Sequence, residues 1–262
     1  MDFLSRVIAL FLLIALLPLL VVITMISFLI QGRPIFFSQK RVGFSFKHFN
    51  ILKFRTIKKS NKAENLFKTG NHLEATKWGL FLRITKLDEL PQLINIIKGE
   101  MRFIGPRPEI PEYVSLELFY FLNKIKPGLS GYSSILFRNE SEILSMLDAE
   151  DPYDDILRIK TTLDSYYLKK KSFLEDLKLV VITLFSLVIP KTMGHFLLLR
   201  MLKVENDTEL RLRSIFNDVK LKKIKKSSIQ KNEILTNIKH REPSLGLKVK
   251  SEIESIESQK FA

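Results

Sequence analysis

A chain of 262 residues with 46% hydrophobic and 27% charged side chains is long enough for one sizeable domain with appendages. It is neither disordered throughout nor a polytopic membrane protein. Lys and Arg number 42 against 28 Asp and Glu, and the net charge of +14 asks for an anionic partner: nucleic acid, a phosphate-rich substrate or an anionic membrane face. Cysteine is absent, which excludes disulfide frameworks and thiolate chemistry. The four histidines form no HExxH spacing, which speaks against a zinc site.

The first element is apolar. No charge occurs between Val7 and Ile30, and 18 of those 24 residues are Leu, Ile, Val or Phe. A straight helix of that length reaches roughly 36 Å, enough to cross a bilayer core. A cleaved signal peptide fits poorly, because the run is too long and no small-residue cleavage site follows it. Pro18 removes one backbone hydrogen bond at the middle of the run and predicts a kink there. The residues leave two readings open, a bent helix that spans and a sharply broken one that returns to the side it entered. Arg33, Lys40, Arg41 and Lys47 after the run place the following domain on the cytoplasmic side.

Between Asp2 and Glu64 there is no acidic residue and there are ten basic ones, a pattern of anchoring to anionic lipid. Two strand-like pieces, Pro34 to Gln39 and His48 to Arg55, are separated by Arg41-Val42-Gly43 and predict a hairpin. Residues 61–78 are polar, reading as a helix and an exposed loop, and Leu90 to Ile97 and Val114 to Leu122 carry helical spacing. Gly105-Pro106-Arg107-Pro108 predicts a rigid turn, and Lys126-Pro127-Gly128 with Gly131 a loop. Leu179 to Ile189 is too short to span and suits an interfacial or a core helix, with Phe196 to Leu199 continuing the contact. After Val204 aromatic residues nearly vanish, and 13 basic and 9 acidic residues make a helical or flexible extension without its own core.

Leu87-Asp88-Glu89-Leu90-Pro91-Gln92 is the stretch richest in chemistry. Asp88 fits an N-cap with Pro91 in the first turn, which places both carboxylates at the positive end of a helix and favours their ionised forms. Alone this is an ordinary helix start. A low-pKa carboxylate is also what a nucleophile at phosphorus or a Mg²⁺ ligand requires. Arg83 precedes the pair, Arg107 sits in the Pro-Arg-Pro turn, and Lys53 and Arg55 stand on the second strand-like piece. All four are suited to phosphate. His48 and His72 have no partner by spacing.

Pro34 to Gly43, Lys53-Phe54-Arg55-Thr56, Leu87 to Gln92, Gly105 to Pro108 and Lys126-Pro127-Gly128 occur in that order. Taken together they resemble the bacterial sugar transferase family, the monotopic polyprenyl-phosphate phosphoglycosyltransferases, over roughly residues 1–190. The resemblance implies transfer of a sugar-1-phosphate from a nucleotide diphosphate sugar, such as a UDP-sugar, to polyprenyl (undecaprenyl) phosphate. It implies Mg²⁺ held by Asp88 and Glu89, Asp88 as the nucleophile of a covalent phosphosugar intermediate, and phosphate held by Arg83 and Arg107. It also favours the re-entrant reading of the Pro18 helix, at a bacterial inner membrane with the catalytic domain facing the cytoplasm. No nucleic-acid partner is expected. Ser134 stands where the family usually has Gln, and Phe137 where it has Gly.

The expected fold is α+β and helix-dominated, with a membrane-inserted N-terminal helix, a small β-hairpin and interfacial amphipathic helices. Its parts are an anchor over 1–31, a catalytic domain over 32–204 and a basic extension over 205–262. The competing reading, a non-enzymatic anchored basic protein that binds lipid or nucleic acid, accounts for the charge but not for the ordered motifs. A polytopic transferase is disfavoured, since only one run is long enough to cross.

Overall fold

A computed structural model of the chain describes residues 2–57, 75–114, 124–138, 140–144, 152–188, 200, 212–215 and 217. The apolar start forms two helices, α1 (Asp2–Ala15) and α2 (Leu17–Gln31), bent by 62°. The break falls at Leu16, two residues before the proline. Pro18 occupies the first turn of α2, where its missing N–H costs nothing, and its ring excludes the carbonyl one turn earlier. Among the described residues no single helix is long and apolar enough to cross a membrane. The bent pair together has the length and composition.

The hairpin forms from β1 (Phe36–Val42) and β2 (His48–Phe54), antiparallel, with Phe36 opposite Phe54 and Val42 opposite His48. Its reversal differs from the expected one: Arg41 and Val42 continue the strand, and the chain turns over Gly43–Lys47 through the left-handed Ser45 and Phe46. Helix α3 (Lys77–Thr85) starts at Thr76, whose Oγ1 accepts from the Gly79 N–H at 2.9 Å. The expected Leu90–Ile97 helix is divided. A 3-10 helix covers Leu87–Gln92, and α4 (Leu93–Lys98) begins only after it.

Strand β3 (Arg102–Ile104) lies parallel to β4 (Gly128–Ser130), so part of the expected Lys126–Gly131 loop is strand. Gly128 permits that pairing, because a Cβ there would stand 2.1 Å from the Gly105 nitrogen. Helices α5 (Tyr132–Leu136), α6 (Glu140–Leu144), α7 (Pro152–Lys170) and α8 (Phe173–Val188) follow. The expectations for residues 61–74, Ser115 to Leu122, Phe196 to Leu199 and nearly all of 205–262 lie outside the described residues.

Two apolar clusters hold the first half together. Ala9, Phe49, Ile51, Leu93, Ile96 and Met101 join α1, β2 and α4. Ile23, Phe54 and Leu82 join α2, β2 and α3, with Leu87 and Leu90 packed against them. The opposite sides of α1 and α2 expose large apolar side chains from Phe3 to Ile30. Helix α8 buries Leu179 and Ile182 while exposing Phe173, Leu174, Leu177, Val181, Leu184 and Phe185. The expected alternatives, core or interfacial, therefore describe its two faces. The chain divides into Met1–Arg213 and Ser214–Ala262, and the site described next lies within the first unit.

Candidate active site

The local sequence dictates an unusual seat for the two acids. Helix α3 ends at Lys86, whose φ of 59° turns the chain left-handed. The chain then re-coils as a 3-10 helix with Pro91 inside it, a residue that cannot donate to an α-helical ladder. Asp88 is therefore not the expected N-cap: it and Glu89 lie inside the 3-10 turn, ahead of the N-terminus of α4. Leu87 and Leu90 face one apolar cluster while Leu93 and Ile96 enter the other, so the acids are suspended between two packed regions.

Four cations act on this pair, Arg83 on Asp88 alone. Lys53 Nζ on β2 donates to Glu89 Oε1 at 2.7 Å, and Arg107 Nη2 stands 3.3 Å from the same oxygen. Lys86 acts electrostatically on both acids while its Nζ donates to the Arg138 carbonyl at 3.3 Å. Burial works to raise the Glu89 pKa, but Lys53, Arg107 and Lys86 outweigh it and hold the group well below the usual range. For Asp88 the balance reverses. Burial pushes its pKa up, and Lys53, Lys86 and Arg83 only partly offset this and the adjacent Glu89 charge. The expected dipole-lowered aspartate is thus overturned, because desolvation outweighs the favourable charges around it. Asp88 is 7% exposed, and its Oδ1 has no hydrogen-bond partner.

The other expected residues divide. Arg83 Nε donates to Thr56 Oγ1 at 2.8 Å, and its charge reaches Asp88. Arg55 is not part of this group. Its Nη2 donates to the carbonyls of Gln31 and, at 3.0 Å, Gly32, closing the C-terminus of α2. Pro18 belongs to the break between α1 and α2.

Lys86 and Asn95 were not legible as site residues. Asn95 is fully buried, accepts the Leu52 N–H at 3.1 Å and donates to the Asn50 carbonyl at 2.8 Å, which fixes the β2 segment that carries Lys53. A polar side chain inside Leu-Ile-Asn-Ile-Ile was the available signal.

Two buried acids meet an ammonium and a guanidinium here, with Lys53 and Arg107 both on Glu89 Oε1 and Asp88 Oδ1 left without a partner, an arrangement suited to phosphorus chemistry. The pattern described as "Bacterial sugar transferase" matches residues 2–190, and the chain belongs to that family. It is 34% identical over 181 residues to the UDP-glucose:undecaprenyl-phosphate glucose-1-phosphate transferase of Klebsiella pneumoniae, covering 66% of this chain and 37% of that protein. It is 31% identical to the UDP-N-acetylgalactosamine-undecaprenyl-phosphate N-acetylgalactosaminephosphotransferase of Aeromonas hydrophila, covering 70% of this chain and 42% of the relative. The exopolysaccharide production protein ExoY of Sinorhizobium fredii is 34% identical, with 68% of this chain and 80% of ExoY covered. The match therefore spans little more than a third of the Klebsiella relative's length.

Proposed function

We propose that the chain transfers a sugar-1-phosphate from a UDP-sugar to a polyprenyl phosphate at the cytoplasmic face of a bacterial membrane, initiating a surface polysaccharide or glycoconjugate. The observation that carries this is the pairing of two adjacent, buried acids in opposite states. Glu89 is neutralised by Lys53 and Arg107, whereas Asp88 keeps an oxygen without a partner.

In this reading an Asp88 oxygen attacks the phosphorus that bears the sugar. The bond from that phosphorus to the bridging oxygen breaks, nucleoside monophosphate leaves, and an aspartyl phosphosugar remains. A polyprenyl phosphate oxygen then attacks the same phosphorus and returns Asp88 as a carboxylate. An anion approaching a diphosphate meets repulsion, which Arg107, Lys53 and Lys86 reduce from fixed positions. A desolvated carboxylate is also less shielded from its target by water.

Mg²⁺ fits the donor set. It binds through one or two carboxylates together with substrate phosphates, and Asp88, whose Oδ1 has no partner, beside Glu89 supplies that number. Among the described residues no cluster of three acid or histidine side chains forms an all-protein cage. When bound, the ion would offset diphosphate charge.

The re-entrant reading of the N-terminal helices is supported by where their ends are tied. Asp2 pairs with Lys126 at 2.9 Å and Arg102 at 3.6 Å, while the last carbonyls of α2 receive Arg55. Both ends thus belong to one polar body. Two arms of about 21 and 22 Å set symmetrically at a 62° bend reach only about 11 Å deep, within one leaflet.

Purified protein given Mg²⁺, a panel of labelled UDP-sugars and undecaprenyl phosphate should form lipid-linked sugar diphosphate and release UMP. Asp88→Asn should abolish turnover and leave the thermal midpoint equal or higher, since a neutral amide suits the buried position. Product formation by that variant at near wild-type rate would remove Asp88 as nucleophile.

A further inference from the structure

Behind the Pro-Arg-Pro turn lies a second buried charge cluster that the proposed chemistry does not use. Glu109 and Lys160 are 4% and 3% exposed. Lys160 Nζ contacts Glu109 Oε1 at 3.1 Å and Glu140 Oε1 at 2.5 Å. The Tyr153 hydroxyl donates to Glu109 Oε2 at 2.6 Å, and Arg41 Nη1 lies 3.7 Å from that oxygen. Sequestering these charges from water is costly, and an ion pair rarely returns more than an apolar replacement would. Their retention calls for another reason.

That reason lies in what the cluster grips. Glu109 directly follows Pro108. The Pro108 carbonyl accepts from Arg41 Nη1 at 3.0 Å, and the Glu109 carbonyl accepts the Val42 N–H at 3.0 Å. On the other side of the turn, the Pro106 carbonyl accepts the Gly128 N–H at 2.7 Å. Both flanks of Arg107 are therefore fixed. Its guanidinium lies in the field of Glu89, Glu140 and Glu109.

We infer that Glu109, held by Lys160 and Tyr153, is a positioning residue: it sets the Arg107 guanidinium at the distance from Glu89 at which an incoming diphosphate is gripped. Lys160 shares its ammonium between two acids and Arg41 adds a second cation at Glu109, so that neither Glu109 nor Glu140 draws Arg107 out of the site. The effect runs through Arg107 alone, and this inference rests on the proposed transferase reading.

A double-mutant cycle tests it with Glu109→Gln, Arg107→Ala and the combined variant. Glu109→Gln should raise KM for the UDP-sugar roughly tenfold with a smaller change in kcat, yet alter KM less than twofold once Arg107 is alanine. Calorimetric binding of inorganic pyrophosphate to the same four proteins gives the cycle without turnover. It should show two single losses that do not add. Losses that multiply in both measurements would overturn the inference, as would pyrophosphate binding indifferent to Glu109. An inactive wild type that nonetheless shows the coupled pyrophosphate cycle would sink the transferase reading and leave this one standing. If Glu109→Gln fails to fold, Tyr153→Phe removes one hydrogen bond from Glu109, and it should weaken pyrophosphate binding only where Arg107 is present. Equal effects with and without Arg107 would count against the inference.

Discussion

Lys86 illustrates how a single residue can serve geometry and charge at once. A side chain at φ 59° costs about 1 kcal/mol or more relative to glycine, and such backbone strain persists where the surroundings impose it. Lys86→Gly should therefore leave stability unchanged or raise it by about 1 kcal/mol, allowing for glycine's greater freedom when unfolded. Activity should fall at least tenfold, and the acidic limb of the pH–rate profile should move to higher pH. The sign follows from the charge: the Lys86 ammonium lowers the Asp88 pKa, so its loss raises that pKa further. Unchanged turnover and profile would show that the ammonium is dispensable.

Asp164 presents the opposite case, an acid that the fold keeps protonated. It is buried on α7, accepts a hydrogen bond from Ser133 Oγ at 3.1 Å, and has its pKa pushed up to about 8 by burial, against the Ser133 hydrogen bond. Between the ordinary value of 3.8 and about 8 the folded carboxyl holds a proton that the unfolded one has released. Stability thus falls as pH rises through that window, by at most about 1.4 kcal/mol per pH unit from this group. Asp164→Asn should remove that slope, making the variant more resistant to denaturant at pH 8 and closer to wild type at pH 5. Parallel pH slopes for the two proteins would refute the assignment.

At the scale of elements, the parallel pairing of β3 and β4 underlies the turn that carries Arg107. Gly128→Ala would put a methyl 2.1 Å from the Gly105 nitrogen and force the two backbones apart. The expected cost is about 1–3 kcal/mol of overpacking, read as a lowered denaturation midpoint, with a raised KM for the UDP-sugar because Gly128 also holds the Pro106 carbonyl. A midpoint within error of wild type would mean that the strand pair relaxes freely.

This part of the fold also shows what sequence reading reaches. The hairpin was legible because alternation and a glycine turn are local signals, and the Pro-Arg-Pro turn because proline forbids the alternatives. The Asp-Glu pair stood out by its place among ordered motifs. The 3-10 seat of that pair was not legible, since it depends on how Leu87, Leu90 and Leu93 are divided between clusters built from distant segments. Arg55 and Lys53 look alike two residues apart on one strand-like piece. Only the arrival of the α2 carbonyls separates a helix cap from a site cation. The burial of Lys160 is likewise decided by Glu109, 51 residues away.

At the scale of the whole molecule, the proposed function requires an apolar helix pair and a basic body to share one membrane surface. The exposed sides of α1 and α2 form an apolar face too large for water, while their buried sides and both ends are built into the body that carries β2, β3 and α4. The Arg6 guanidinium lies over Gly99 at the end of α4, a second contact near the N-terminus. Drawing Asp2 to the far side of a bilayer would break its pairing with Lys126 and Arg102 and strip Ala9 and its neighbours from Leu93 and Ile96. Several kcal/mol of burial oppose that movement. Because the chain has no cysteine, single thiols report topology without background. Cysteines placed at Phe3 and at Lys47, both exposed, should react with a membrane-impermeant maleimide from the same, cytoplasmic side in oriented vesicles, and neither should react in intact cells. Labelling of the position 3 thiol from outside, with position 47 protected, would mean that the helix pair crosses and that the contacts of Asp2 do not hold in the membrane.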